Sequence, residues 1–195
     1  MKRLVIAIQS LLSKKKFTGQ RIFLRPPKRR DALKWQKLRM SSKSFLVPWE
    51  PSWDASSCSR RAFLRYFKNS NYLANMDRSY SFLIFKIDDK TLLGGINVGN
   101  VRRGVAQSAS LGYWVGKNHA RNGYMKEALQ ILIPTLFIDL RLNRLEAATL
   151  EENKASRNLL KKIGFKKEGV LRKYLKINGT WRDHILYGLL EDDFN

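Results

Sequence analysis

Residues 111–140 read LGYWVGKNHARNGYMKEALQILIPTLFIDL: an apolar, aromatic run, then a polar basic loop around Gly123, then a long amphipathic segment. The spacing predicts a strand that ends in a Gly-bearing loop and feeds straight into a helix. Such a join gathers several backbone N–H groups that have no partner within the helix, and the helix dipole adds partial positive charge there. That point suits an anion such as a phosphate. Gly123 permits a positive φ or a close ligand approach, Lys117 and Arg121 add charge, and His119 reads as a loop residue. The loop is neither a Walker loop nor a dinucleotide fingerprint, because the Gly spacing and the Lys-Ser/Thr pair are missing. Pro134 interrupts the helical segment and removes one backbone hydrogen bond.

Working outward, Ser108–Val115 is the strand that leads into this loop. Before it, Ser81–Ile87 is rich in β-branched and aromatic residues, and Asp88-Asp89-Lys90 marks a hairpin turn. Leu92–Asn97 pairs back, with Gly94-Gly95 allowing a bulge or close backbone approach. Arg102-Arg103-Gly104 is a further turn. Gln20–Arg25 alternates as a half-buried strand and is closed by Pro26-Pro27. Asp31 is the expected N-cap of a helix ending near Arg39, and Ser59–Leu73 is a second helix with Phe63, Leu64, Phe67 and Tyr66 inward. Between them, residues 41–57 read as irregular, with Trp49 and Trp53 around Glu50; these rings either line a site or cap the core. On the other side, Arg144–Leu150 reads as a buried strand, and Lys154–Ile163 as a helix stopped by Gly164. Val170–Lys176 and Asp183–Leu190 flank an Asn178-Gly179 hairpin signal. The order β-α-α-β-β-β-α-β-α-β-β makes one mixed α/β (α+β) domain, with no internal repeat.

The chain has 195 residues, 44% hydrophobic and 28% charged, which suits one soluble globular domain. Its charge is strongly skewed: 38 Lys and Arg face 16 acidic residues, a net +22. Such an excess attracts a polyanion, with RNA, DNA or an anionic membrane the candidates, or serves only as a solubilising surface. Cys58 stands alone, which excludes an internal disulfide and a thiol metal cluster and fits a reducing cytoplasm. The apolar run over residues 4–12 lacks a cleavage site and is too short to span a membrane, so no stable membrane insertion is expected. An amphipathic helix or docked tail is expected within a basic N-terminal extension, residues 1–19.

A second constellation sharpens the first. Asn153 leaves a strand and opens a helix, with Ser156 one turn on; each residue either caps the helix or faces a ligand. The loop and this helix together resemble the GNAT acetyltransferases, and among them the RimJ/RimL-like ribosomal-protein-alanine N-acetyltransferases. The family's pyrophosphate loop, Q/R-x-x-G-x-G/A, lies over Ala120-Arg121-Asn122-Gly123-Tyr124-Met125; Gly123 matches, while Ala120 and Met125 depart from the form. Asn153-x-x-Ser156 with Gly164-Phe165 resembles the coenzyme-binding helix. The segment 47–51 (VPWEP), Tyr174-Leu175 and the stretch 178–184 (NGTWRDH) are also similar to that subgroup. The resemblance runs over residues 20–190, and residues 20–191 are expected to form the acetyltransferase domain.

The resemblance implies a mixed central sheet splayed at its middle and flanked by helices, with acetyl-CoA between the strands that end near Val115 and Leu150. Arg121, Asn122, Gly123, Tyr124 and Met125 would hold the pyrophosphate, Trp114 and Val115 would pair with the pantetheine arm, and Asn153 would bond one of its amides. No metal is implied. Glu50 is the leading candidate for base or amine-positioning group. Asp183 with His184 is a second candidate, Ser156 a proton donor near the sulfur, and Tyr174 an alternative to it. The expected reaction is acetyl transfer to the N-terminal α-amine, Ala, of a ribosomal protein, with rRNA or the ribosome as a further partner through the basic surface. The competing readings are transfer to a small amine or antibiotic, and an RNA- or ribosome-binding protein whose coenzyme site serves structure or regulation. No Ser-His-Asp or Cys-His arrangement is present.

Overall fold

The computed structural model describes residues 15–194. The expected N-terminal helix or tail over residues 4–12 falls outside them. Eight strands form one sheet in the order β1-β2-β3-β4-β5-β6-β8-β7. They are β1 Phe17–Thr18, β2 Ile22–Arg25, β3 Tyr80–Lys86, β4 Leu92–Arg102, β5 Ser108–Val115, β6 Arg144–Thr149, β7 Lys166–Ile177 and β8 Thr180–Leu190. All neighbours run antiparallel except β5 and β6. The described α-helices are α1 Ala32–Ser41, α2 Lys43–Leu46, α3 Arg60–Asn75, α4 Tyr124–Ile138 and α5 Lys154–Ile163.

Strand alternation divides the core between the two faces of the sheet. On β3, Phe82 and Ile84 join the cluster built on α4, with Leu129, Leu132, Ile133 and Leu136 fully buried. Leu83 and Phe85 turn the other way, against Trp35 of α1 and Phe63 of α3. This double burial explains why residues 82–85 read as an unbroken apolar run rather than an alternating one.

Several local readings hold. Asn178 (φ 43°) and Gly179 (φ 85°) are both left-handed, the requirement of a type I′ hairpin turn. Gly164 ends α5 at φ 103°. Three readings change. The segment 41–57 is not wholly irregular: it contains α2 and a 3-10 turn at Val47–Trp49. β4, β7 and β8 extend beyond their expected limits because ladder pairing continues through residues with weak strand preference. Asp31 does not cap α1 through its side chain. Its carboxylate turns back to Lys28 N (2.7 Å) and to both Nη atoms of Arg25 (2.6 and 2.7 Å), because a buried carboxylate is better stabilised by a bidentate guanidinium than by one amide. Pro134 lies inside α4. It is ten residues, about 15 Å, from the start of the helix at Tyr124, so any bend acts on packing at the far end of the helix.

Candidate active site

The sheet opens at its one parallel join. β5 and β6 pair only at Ser108↔Arg144, Ala109↔Leu145 and Ser110↔Glu146. Beyond that, β5 continues along β4 as far as Val115↔Gly94, and β6 follows β8 to Thr149↔Ile185. Gly94 has no side chain to hold β5 off: a Cβ there would lie 2.2 Å from the Trp114 carbonyl oxygen. β5 therefore closes on β4 and parts from β6. Gly116 N donates to Leu93 O across the β4–β5 ladder (2.9 Å). Alternation then points the N–H and C=O groups of Tyr113 and Val115 to the other edge, into the gap.

β5 ends in a tight loop. Lys117–His119 forms a 3-10 turn, Arg121 adopts φ 62°, and Gly123 adopts φ 79° as the N-cap of α4. Gly123 has no side chain to cap with, so the amides of Tyr124, Met125 and Lys126 are left facing out, while Glu127 N is already bonded to Gly123 O (3.0 Å). Asn122 turns its amide back onto Ala120 O (3.1 Å), and Met125 is buried, which orients the first turn. Burial holds His119 below its ordinary pKa, which favours the neutral ring in this loop.

Arg21, immediately before β2, braces the loop from outside. Its Nη1 donates to Asn122 O (3.1 Å), its Nε donates to Glu127 Oε2 (2.9 Å), and its guanidinium lies 5.0 Å from the Tyr124 ring centroid. Glu127 is an acidic residue in the first turn of α4, where an unpaired carboxylate would repel a bound anion; Arg21 neutralises it. No local pattern around Arg21 foretold this, since its partners are about a hundred residues away.

Opposite the loop, Asn153 Oδ1 accepts from Ser156 N (3.1 Å) and caps α5. The Ser156 hydroxyl meets the Tyr113 hydroxyl at 2.8 Å, which links the two walls of the gap. Burial pushes Tyr113 up to about 12 despite that hydrogen bond, so its hydroxyl stays protonated at physiological pH.

Glu50 sits at the end of β5 through a chain of contacts. Arg39 donates from Nη1 to Glu50 Oε1 (2.8 Å) and from Nη2 to Oε2 (2.5 Å), and Trp53 Nε1 donates to Oε2 (2.9 Å). The same guanidinium lies over the rings of Trp53 (4.2 Å), Trp114 (4.9 Å) and Trp35 (5.4 Å). The β7–β8 hairpin closes the site from below, where Asn178 N donates to Glu50 O (2.9 Å). Trp49 and Trp53 thus divide: Trp53 lines this cluster, while Trp49 is exposed. The Trp35–Arg39 spacing of one helical turn was a readable sign of the stack.

Asp183 and His184 do not form an acid–base pair. Adjacent on β8, they face opposite sides of the sheet. Asp183 Oδ1 accepts from Lys173 N (2.8 Å) at the bulge where β7 has Leu171 and Leu175 opposite His184 and Arg182. His184 is buried, with Nδ1 3.0 Å from Arg182 O. Tyr174 is exposed and packs edge-on to His184 (5.8 Å).

A sheet opened at a parallel join, with an uncapped helix start on one wall and a capped helix on the other, leaves a cleft that suits a phosphate-bearing, amide-containing ligand. The profile of the acetyltransferase (GNAT) domain matches residues 21–166, and the chain belongs to this family. It is 33% identical over 186 residues to the [ribosomal protein uS5]-alanine N-acetyltransferase of Escherichia coli (strain K12), covering 95% of this chain and 96% of that one. It is 39% identical over 117 residues to the probable N-acetyltransferase YjcK of Bacillus subtilis (strain 168), covering 60% and 65%. The structure of Mycobacterium smegmatis RimJ in complex with CoA-disulfide superposes with a TM-score of 0.87 at 30% identity, covering 92% of this chain and 88% of that one. The ribosomal-protein-S5-alanine acetyltransferase from Vibrio fischeri does so with a TM-score of 0.86 at 26% identity, covering 93% and 100%. No described helix is long and apolar enough to cross a membrane.

Proposed function

We propose that this protein transfers the acetyl group of acetyl-CoA to the N-terminal α-amine, Ala, of a ribosomal protein, by direct attack in a ternary complex. The end-to-end likeness to the uS5-alanine N-acetyltransferase carries the choice of acceptor. The gap fits the coenzyme: the amides of Tyr124, Met125 and Lys126 suit a pyrophosphate, and the free edge at Tyr113 and Val115, beside Trp114, suits an amide-bearing arm. Arg121 and Asn122 shape that cradle, and Asn153 faces it across the gap. When bound, the coenzyme supplies the thioester carbon that the amine attacks.

The residues of this chain have three tasks: to hold the amine, to take up its proton, and to return one to the departing sulfur. An α-amine, with a pKa of about 7.7–8.0, is neutral roughly 10–20% of the time at pH 7, whereas a Lys amine is so less than about one part in a thousand. Choosing the α-amine lowers the deprotonation cost by about 3–4 kcal/mol, so a modest acceptor is enough. Glu50 serves as that acceptor and as the amine anchor. Its Oε1 takes one hydrogen bond from Arg39 and keeps a lone pair to accept another. The protonated Tyr113–Ser156 pair is the donor on the coenzyme side.

Glu50→Gln is expected to lower kcat about 100-fold while the coenzyme Kd changes less than about threefold. In the wild type, kcat/KM should climb with pH through the amine's own ionisation near 8. Tyr113 should add no falling limb below about pH 10, because it keeps its proton there. A Glu50→Gln variant with unaltered kcat and an unaltered pH profile removes Glu50 from the mechanism. Arg21→Ala should weaken coenzyme binding about tenfold, since the unneutralised Glu127 charge then faces the phosphates. Calorimetry at two salt concentrations checks this, and an unchanged Kd at low salt refutes the brace. Mass spectrometry of ribosomal-protein N-termini from cells lacking the protein tests the acceptor: one Ala-starting N-terminus should lose its acetyl group, and an unchanged set sinks the reading.

A further inference from the structure

A groove of about 270 Å³ is lined by Arg29, Arg61, Leu64, Arg65, Phe67 and Lys68. Arg29 comes from the turn that precedes α1, and the others lie on α3. Arg61, Arg65 and Lys68 fall at positions i, i+4 and i+7, one stripe along the helix. Leu64 and Phe67, half-buried, make the floor between the charges.

Three rules of helix electrostatics are broken here. Arg60 and Arg61 occupy the first turn of α3, where the helix dipole disfavours cations. Like charges stand one turn apart, at Arg61–Arg65 and Arg65–Lys68, which disfavours the isolated helix. No acidic residue occurs anywhere in α3 to offset them. None of Arg29, Arg61, Arg65 and Lys68 makes an ion pair among the described residues, whereas nine other cations do. Uncompensated charge in a concave setting stands apart from charge spread over a surface.

We propose that this groove binds single-stranded RNA, with the phosphates on Arg29, Arg61, Arg65 and Lys68 and a base on the Phe67 ring. Charge complementarity selects a polyanion, and a half-buried aromatic floor between cations suits stacked bases. An anionic bilayer would instead call for protruding apolar side chains. α1 runs between the groove and the Glu50 cluster: Arg29 lies in the turn before it and Arg39 in its last turn, and its ten residues span about 15 Å. The site is independent of which amine is acetylated.

The test uses the full chain and a fluorescein-labelled 12-nucleotide single-stranded RNA, followed by anisotropy across a salt series. The variant Arg61→Ala/Arg65→Ala/Lys68→Ala keeps the helix, because Ala is its best former. Affinity should drop at least tenfold at 100 mM salt, and the slope of log K against log salt should fall by about 2. Acetyl transfer to a short peptide should be unchanged. A control, Lys161→Ala/Lys162→Ala/Lys167→Ala, removes equal charge from α5 and β7 and should change affinity less than about threefold. Equal losses in the two triples overturn the site in favour of diffuse charge. A groove triple that loses binding to an Asp/Glu-rich peptide or to phosphatidylserine vesicles, but keeps RNA binding, overturns the ligand class. Phe67→Leu should weaken RNA binding with the salt slope intact; no change removes the stacking contact.

Discussion

Gly123→Trp is expected to abolish coenzyme binding, raising Kd by at least 100-fold in calorimetry, while the protein stays folded. Gly123 holds φ 79°, and the Cβ of any other residue would lie 3.3 Å from the Arg21 Nη2 atom. A tryptophan there brings a bulky side chain to the helix start where the amides of Tyr124, Met125 and Lys126 converge. It also loosens Arg21 from Asn122 and exposes the Glu127 charge. A side chain in left-handed backbone adds only about 1–2 kcal/mol of strain, so circular dichroism should be that of the parent. Gly123→Ala separates the two effects: it keeps the strain, removes the bulk, and should lose less than about 30-fold. A tryptophan variant that binds the coenzyme normally places the anion elsewhere.

Arg39→Ala should be the most damaging substitution outside the Gly123 loop. The Arg39–Glu50 pair is shielded, with side-chain exposures of 12% and 20%, and its removal strands a carboxylate among indole rings. Breaking such a pair costs about 3 kcal/mol or more, equivalent to a Tm lower by about 6–12 °C in a chain of this size. Turnover should fall at least 100-fold at temperatures where the variant is still folded, because Glu50 loses two of its three anchors. Arg39→Lys should recover part of the stability but not the turnover, since an ammonium cannot hold both carboxylate oxygens in one plane. A Tm within 2 °C of the parent in the alanine variant would show that the pair is a bystander. The Arg39 Nε, which is buried without a hydrogen-bond partner among the described residues, fits a guanidinium held by rings and carboxylate rather than by a full set of acceptors.

The fold was readable wherever local chemistry spoke. Ser108–Val115 and Lys154–Ile163 come out as expected, because apolar alternation ends at a glycine loop in one and Asn153 and Gly164 bracket the other. The Asn178-Gly179 turn was equally plain. What stayed hidden depends on contacts between distant segments. Arg21 and Glu127 are 106 residues apart, and Tyr113 and Ser156 are 43. Asp183 and His184 looked like a pair only because they are adjacent, and strand alternation separates them. Glu50 stood out through its aromatic neighbours, but the guanidinium that fixes it had to be found in space.

The gap between β5 and β6 has a consequence for handling the protein. A run of backbone amides and carbonyls held open for a ligand is also an unsatisfied strand edge, the kind of surface on which other chains add. Ligand that binds only the folded state stabilises it by about 2.7 kcal/mol at one hundred times Kd, and here it also occupies the vulnerable edge. Purified protein stripped of coenzyme should therefore cloud faster on warming than protein with saturating coenzyme, measured by light scattering. On that outcome the bound cosubstrate doubles as a guard against aggregation.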